Sequence, residues 1–372
     1  MAVSSTRLKV GVLGCGAISK IYLTNLTGKF ADRVEVVAVA DIVPESAKAK
    51  AEEHKVPLVL TPEQLIAHRD VQLVVNLTPA PAHYETSRAV LQAGKHLYSE
   101  KPLALTMEQG RELVDLAKAK GLRLSVAPDT LLGAGVQTCC QLVREGAIGR
   151  PVAGFGFVSI HHRGEAYFTV FRGPLLDLGP YHIGALIAML GPVKSVSGVV
   201  QPISDSPEKP LPESAKLVEA PGQSAAVLEF ASGCLVTLVC TAEHRQYAPQ
   251  LRLWGTTGSL VCPDPNMFCG PIVLQPTYKP PHDVAPRFGF AENSRGIGVW
   301  DMAGALAEGR APRLTPELAL HSLEVMLATI ASSQTGKRID LTTTVGPWIA
   351  MPALPPAEPT AAVTAAAAGS GS

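Results

Sequence analysis

Near its start the chain reads "LKVGVLGCGAIS", Leu8 to Ser19, and no other stretch constrains the fold as much. Six mostly apolar residues rich in β-branched side chains make a strand candidate. The strand runs into Gly14-x-Gly16, with Ser19 standing where a third glycine would complete the pattern. Glycines there permit a tight turn and let backbone amides, those of Ala17 and Ile18 included, approach a diphosphate at the next helix's N-terminus. A glycine turn alone is a weak signal, since any strand–helix connection can carry one. The next apolar run, Val34–Ala40, strengthens it by ending at Asp41, 27 residues after Gly14, where a carboxylate would accept hydrogen bonds from ribose hydroxyls. Ile42 and Val43 follow, with no arginine to receive a 2′-phosphate, so NAD is expected rather than NADP.

From residue 7 to about 127, short apolar runs alternate with helical patterns: "PESAKAKAEEH", "LVVNL", "HYETSRAVLQAG", "HLYSE", "TMEQGRELVDLAKAKG" and "LRLSVA" follow in turn. That alternation makes parallel βαβ units and a doubly wound α/β sheet. After residue 128 the texture changes. Helical patterns at 136–144 and 175–190 precede alternating runs at 193–200, 225–230, 235–241, 251–255 and 259–262, with a hairpin expected at Gly233. Helices are expected again at 302–309 and 316–335. The expected organisation is a Rossmann dinucleotide-binding domain at 1–127 and an α+β substrate and oligomerisation domain at 128–350 with a largely antiparallel open sheet. A low-complexity tail at 351–372, ending in Gly-Ser repeats, is expected to be disordered.

Composition narrows the class of ligand. Of 372 residues 47% are apolar and 17% charged, enough for a real core, and lysine plus arginine equal aspartate plus glutamate at 32 each. No basic field is available for nucleic acid or an acidic membrane, so a small-molecule substrate is expected. The seven cysteines are odd in number and form no CxxC pair, which suits reduced thiols rather than a disulfide framework or zinc site. Cys15, inside the glycine turn, is expected to be a small filler. The early apolar run lacks a cleavage pattern and no stretch is long enough to cross a bilayer, so a cytoplasmic protein is expected.

Glu100-Lys101-Pro102 ends the "HLYSE" strand, at the edge of an open sheet where ligands bind. By spacing alone, Glu100 and Lys101 are equally well an exposed ion pair or a functional pair. The wider context decides. "AGKHLYSEKPLALT", preceded by "TPAPAHYETS" and followed by "EGAIGRPVAG", "GPLLDLGPYHIGAL" and "RGIGVWDMAGALAEGRAPRLTPELALHSLEVM", resembles the glucose–fructose oxidoreductase / inositol dehydrogenase (Gfo/Idh/MocA) family over about residues 7 to 345. The resemblance implies an NAD(P)-dependent oxidoreductase acting on sugars, cyclitols or their derivatives, with Lys101 touching nicotinamide and substrate, and subunits associating as a homodimer or homotetramer through the second sheet. Thr78, Pro79 and Glu100 are further cofactor-binding candidates, and His83, placed after the "LVVNL" strand, either touches the nicotinamide half or caps its helix.

The family's second motif usually reads Asp-x-Gly-x-His-x-x-Asp, whereas this chain has Asp177-Leu-Gly179-Pro-Tyr181-His182-Ile-Gly184. Some members also carry tyrosine at that place. Residues 177 and 181 are expected one turn apart on one helical face, with His182 pointing away and second in line as proton carrier. The mechanism expected has Lys101 hydrogen-bonding the reacting oxygen, Tyr181 accepting its proton, and Asp177 orienting the sugar or Lys101, Asp177 alternatively being merely an ion-pair partner of Lys101. Asp129 and His162 are further substrate-binding candidates, Asp129 alternatively serving as a helix cap. His161, His162 and Arg163 follow the strand "GFGFVSI" and make a poor metal site, because adjacent residues on an extended segment face opposite ways. Arg295 and Trp300 would help close the pocket, Trp300 alternatively packing with other aromatics. Three functions compete: net dehydrogenation of a secondary alcohol; an enzyme with retained NAD that oxidises a sugar transiently to break a glycosidic or other C–O bond; and a nonenzymatic NAD-binding regulator.

Overall fold

The computed structural model describes residues 7–161, 164–203, 213, 220–244 and 246–353. His162, Arg163 and the tail beyond residue 353 lie outside the described residues. The chain opens with β1 (Leu8–Leu13), α1 (Ser19–Thr27), β2 (Val34–Ala40), α2 (Pro44–His54), β3 (Leu58–Leu60), α3 (Pro62–Ala67), β4 (Leu73–Asn76), α4 (Ala80–Gln92), β5 (His96–Ser99), α5 (Met107–Ala119) and β6 (Leu124–Val126). These strands pair in parallel in the order β3-β2-β1-β4-β5-β6. The order reverses between β1 and β4, which opens a crevice at their carboxyl ends. Buried on both faces, β4 has no exposed position. β3 and α3 have no counterpart in the sequence reading: they are too short for periodicity to register. Thr61 nevertheless starts α3 with a reciprocal capping box to Gln64.

The second half continues through α6 (Ala134–Arg144), β7 (Pro151–Ser159), α7 (Glu165–Val170), α8 (Gly173–Asp177), α9 (Gly179–Leu190), β8 (Val193–Gln201), β9 (Gln223–Phe230), β10 (Leu235–Thr241), β11 (Gln250–Gly255), β12 (Gly258–Cys262), β13 (Val273–Pro276), β14 (His282–Asp283), α10 (Ile297–Glu308), α11 (Pro316–Thr335) and β15 (Ile339–Asp340). Among the described residues its sheet has nine strands, ordered β14-β13-β12-β11-β7-β10-β9-β8-β15. Its pairings are antiparallel except for β7 with β10. Gly233, at φ 84°, makes the β9–β10 turn.

One expected helix is two. The 175–190 pattern breaks at Leu178, between α8 and α9. Pro180 explains the break, since it has no N–H to donate to Leu176 and its ring would collide with that carbonyl in a continuous helix. Asp177 and Tyr181 therefore do not share one helical face, and their proximity arises from a bend. α10 also starts earlier than expected, at a glycine N-cap with φ 99°.

α10 returns to the first sheet and packs on β2 and β6, while α11 packs on α5, β6 and β8 and so couples the two sheets. Helices α9 and α11 cover one face of the second sheet. On the other face, cross-strand register aligns Val199, Val227, Leu235, Thr237, Phe155, Trp254 and Val261. Val199, Val227, Leu235, Trp254 and Val261 are among the large apolar side chains left exposed.

Candidate functional site

The cofactor cradle forms where β1 hands over to α1. Gly14 adopts φ +101°, and a Cβ there would sit 2.7 Å from both the carbonyl carbon and oxygen of Leu77, so the turn and the end of β4 fit closely only with glycine. A Cβ on Gly16 would meet nothing within 4 Å: the open space lies directly over the turn. Ser19 is fully buried and its hydroxyl donates to the Gly16 carbonyl at 2.7 Å, closing the turn that a third glycine would otherwise form. At the N-cap of α1, Ile18 supplies no side-chain hydrogen bond, which leaves first-turn amides for an anion. Asp41 accepts from the Cys15 amide at 2.7 Å and the Val43 amide at 2.8 Å, holding its carboxylate beside the turn. Ile42 next to it is 88% exposed, an apolar surface beside that carboxylate. The residues fit a dinucleotide: glycine-lined space, free helix amides and a fixed carboxylate.

Lys101 emerges past β5, one strand beyond β4. Its Nζ donates to Asp177 Oδ1 at 2.6 Å and to the Asp177 carbonyl at 2.7 Å, with both side chains 13% exposed. An ammonium has three donors, so one proton stays uncommitted. Burial alone would lower the Lys101 pKa, but Asp177, Tyr181 and Glu100 carry it above the usual lysine range. Glu100 is anchored from behind: Tyr22 donates to its Oε1 at 2.7 Å, and the Lys101 amide reaches its Oε2 at 3.2 Å.

Tyr181 lies beneath the same ammonium, with Lys101 Nζ 5.4 Å from its ring centroid. It is 7% exposed. Burial pushes the phenol upward, against the pull of the nearby Lys101 and Arg295 charges. Arg295 is itself fixed by Asn266 Oδ1 at 2.8 Å. Asn266 donates to Tyr247, whose hydroxyl donates to Asp264 at 2.7 Å. Sequence reasoning missed Tyr22, Tyr247, Asp264 and Asn266; they carry no motif, and only the fold makes them neighbours of Glu100 and Arg295.

Other candidates are placed elsewhere. His182 is buried against β11, with Nε2 3.2 Å from the Gln250 carbonyl and Nδ1 without a partner among the described residues. Burial pushes its pKa down to about 4 and keeps it neutral. Burial also lowers His83, and its two ring nitrogens face the carbonyls of Pro102 and Thr78 at 2.8 and 2.7 Å. No nitrogen of His83 is left for a cofactor; the ring ties the triplet's proline to the β4–α4 loop. Thr78 turns its amide and hydroxyl onto Asn76 Oδ1, and Pro79 sits at the N-cap of α4. Asp129 is 2% exposed and accepts the Gly296 amide at 2.6 Å, so it caps α10 rather than its own helix and offers no open carboxylate for sugar hydroxyls. His161 is exposed past β7, and the substrate candidate His162 lies outside the described residues. Trp300 packs with Phe30 and Phe290 and donates to Asp32, away from the triplet. Cys15 is buried and burial raises its thiol to about 12, as expected of a filler. Among the described residues no helix is long and apolar enough to cross a membrane.

Comparison with known proteins agrees with this geometry. Residues 8–128 match the GFO_IDH_MocA oxidoreductase family, described as an NAD-binding Rossmann fold, and residues 136–261 match the GFO/IDH/MocA C-terminal domain. The dTDP-3,4-didehydro-2,6-dideoxy-alpha-D-glucose 3-reductase of Streptomyces violaceoruber is 31% identical over 68% of this chain and 72% of its own length. An inositol 2-dehydrogenase of Ralstonia nicotianae is 34% identical over 39% of this chain and 44% of its own. The chain spans about half the length of several curated relatives it matches, including 46% of the uncharacterized oxidoreductase YdgJ of Escherichia coli. A levoglucosan dehydrogenase solved with NADH and levoglucosan superposes with a TM-score of 0.79 at 21% identity, covering 91% of this chain and all 100% of that one. Two matched domains joined in the expected order, around a Lys101–Asp177 pair at the sheet's edge, place this chain in the Gfo/Idh/MocA family of NAD-binding oxidoreductases.

Proposed function

We propose that this chain is an NAD-dependent dehydrogenase that oxidises a secondary hydroxyl of a sugar, cyclitol or glycoside. The observation that carries the reading is the convergence of Lys101, Asp177 and Tyr181 from the two halves of the chain at the carboxyl edge of the first sheet. Relatives whose names specify inositol 2-dehydrogenase and levoglucosan dehydrogenase support the substrate class. When bound, NAD supplies the hydride acceptor. Asp177 keeps Lys101 charged and aimed. The remaining Lys101 proton hydrogen-bonds the reacting oxygen and stabilises its alkoxide character. Tyr181 takes the hydroxyl proton, and His182, neutral and turned to β11, does not take part. Asn266, Tyr247 and Asp264 form a hydrogen-bonded chain running from Arg295, polar groups that would read a substrate's other hydroxyls. The exposed apolar face of the second sheet supports self-association as a homodimer or homotetramer.

The test is a panel of free cyclitols, sugars and glycosides assayed for NADH absorbance with and without added NAD. Steady NADH accumulation on at least one alcohol is expected. Glycoside cleavage with no NADH would favour transient oxidation by a retained cofactor, and NAD binding without turnover of any compound would favour a regulator.

A further inference from the structure

Resting on the reading of this crevice as the NAD site, we propose that Tyr22 is the positioning residue for Glu100: its buried hydroxyl, donating to Glu100 Oε1 at 2.7 Å, locks the carboxylate in the orientation that receives a hydrogen-bond donor of the cofactor. The two residues come from either side of β4, Tyr22 from the helix that follows β1 and Glu100 from the end of β5. Their bond therefore ties the helix whose first turn faces the cradle to the strand end that carries Lys101. A half-buried glutamate has a long side chain with much rotamer freedom to lose. Pairing of the Glu100 amide with the Asn76 carbonyl at 2.9 Å fixes its backbone and leaves the carboxylate to be held by other groups.

Two donors do so. Tyr22 holds Oε1, and the Lys101 amide lies 3.2 Å from Oε2. A carboxylate offers about four lone-pair sites, so about two stay open beside the lysine for a hydroxyl or amide of the dinucleotide. Tyr22 is itself placed by packing. It is 0% exposed, its ring centroid stands 6.1 Å from that of Tyr98 at 55°, and its oxygen is 3.4 Å from the Tyr98 hydroxyl. Because Tyr22 gives its only hydroxyl proton to Glu100, Tyr98 is the donor in that second contact. Tyr98 is pressed in turn by α10: a Cβ on Gly298 would sit 2.4 Å from its ring, and such close packing leaves the ring no room to swing away. Burial and the neighbouring carboxylates hold the Tyr22 phenol in its protonated form, so it remains a donor at any working pH. A phenol buried for packing alone would be served by any main-chain carbonyl; this one holds a half-buried carboxylate next to Lys101.

The experiment measures NAD affinity by calorimetry, with no alcohol present, in the wild-type protein, Tyr22→Phe, Glu100→Ala and the double variant. Phenylalanine keeps the buried ring and removes only the hydroxyl. Tyr22→Phe should weaken NAD binding by about three- to tenfold, the scale of re-ordering one flexible side chain on association. In the Glu100→Ala background the same substitution should cost nothing further, because no carboxylate is left to hold. That dependence on background separates positioning from scaffolding, since a defect in α1 would weaken NAD equally in both. Equal loss in the two backgrounds overturns the proposal, and so does an NAD affinity unchanged by Tyr22→Phe. A Tyr22→Phe protein that does not fold would make the hydroxyl a structural group and overturn it as well. Because no alcohol enters the measurement, the expected coupling in a chain that oxidises none would sustain Tyr22's role while sinking the dehydrogenase reading.

Discussion

Lys101 Nζ donates to both the side-chain and the backbone oxygen of Asp177, at 2.6 and 2.7 Å, so one residue of the second half fixes the ammonium of the first in two directions. The bend at Leu178 makes this possible: α8 ends on Asp177, whose carbonyl is therefore free of the helix and can turn to the lysine. Two of the three ammonium protons are spent on orientation, leaving one for chemistry.

Lys101→Met should lose at least about 100-fold in kcat, the usual scale for removing a preorganised donor to a developing oxyanion. It should also lose stability, because Asp177 would be left nearly buried without its cation, at a cost of about 3–5 kcal/mol. Adding Asp177→Asn should restore much of the melting temperature without restoring turnover. Near-normal kcat in the single variant would remove the lysine from the mechanism; stability unchanged by the first substitution would show that the pair is more solvated than its geometry indicates.

The two glycines of the turn should separate folding from cofactor binding. Gly14→Ala forces a side chain into φ +101° and against the Leu77 backbone, which has no room to yield. Lower melting temperature and lower NAD affinity are both expected. Gly16→Ala meets no protein atom within 4 Å, so the unfolding free energy of the cofactor-free protein should stay within about 0.5 kcal/mol of wild type. The added methyl instead occupies the space over the turn, and calorimetric NAD affinity should drop by about tenfold or more. Equal affinity for Gly16→Ala and wild type would place the cofactor elsewhere.

Much of this architecture was legible before any coordinates, and for local reasons. β1, β2, α2, β10 and α11 occupy the spans their apolar periods and end signals mark, and Gly14, Gly16 and Asp41 meet around one turn as their spacing requires. The misreadings are equally physical. Short β3 and α3 fall below the length at which a period can be counted, and Pro180 is an N-terminal residue of α9 rather than the interior of a longer helix. The roles of Asp129 and His83 depend on partners distant in the chain: Asp129 caps a helix 167 residues away, and His83 reaches Pro102 across 19. No local pattern encodes such partners.

The open face of the second sheet should be an interface between copies of this chain. Val227 lies on that face in β9, with Thr237 opposite it on β10 and Ser197 on β8. Val227→Asp places a charge among exposed apolar neighbours without touching the opposite, helix-covered face. Light scattering should show the assembly shifting to a smaller species, with far-ultraviolet circular dichroism unchanged. A wild-type protein that is monomeric at micromolar concentration would leave the face without its expected partner.

Asp129 should make stability depend on pH in the direction opposite to an ordinary paired carboxylate. Burial raises its pKa from 3.8 to about 7, and Glu100 adds to the rise, while Arg295 and the amides of Gly296 and Gly298 oppose it. An acid whose folded value exceeds its unfolded value binds more protons when folded, so the stability it confers is complete below the unfolded value and is lost as pH rises through the folded one. Here that window runs from about pH 4 to about pH 7. Asp129→Asn keeps an oxygen to accept the Gly296 amide but cannot titrate. The two proteins should therefore melt alike near about pH 4, and the variant should become the more stable as pH rises, by on the order of 4 kcal/mol at most above about pH 8. Buried His83 and His182, both lowered by burial, contribute pH dependence of their own, but equally in both proteins, so the difference between the two melting curves isolates residue 129. Parallel curves across that range would mean that the carboxyl stays ionised throughout, held by the α10 amides and Arg295 more strongly than its burial opposes.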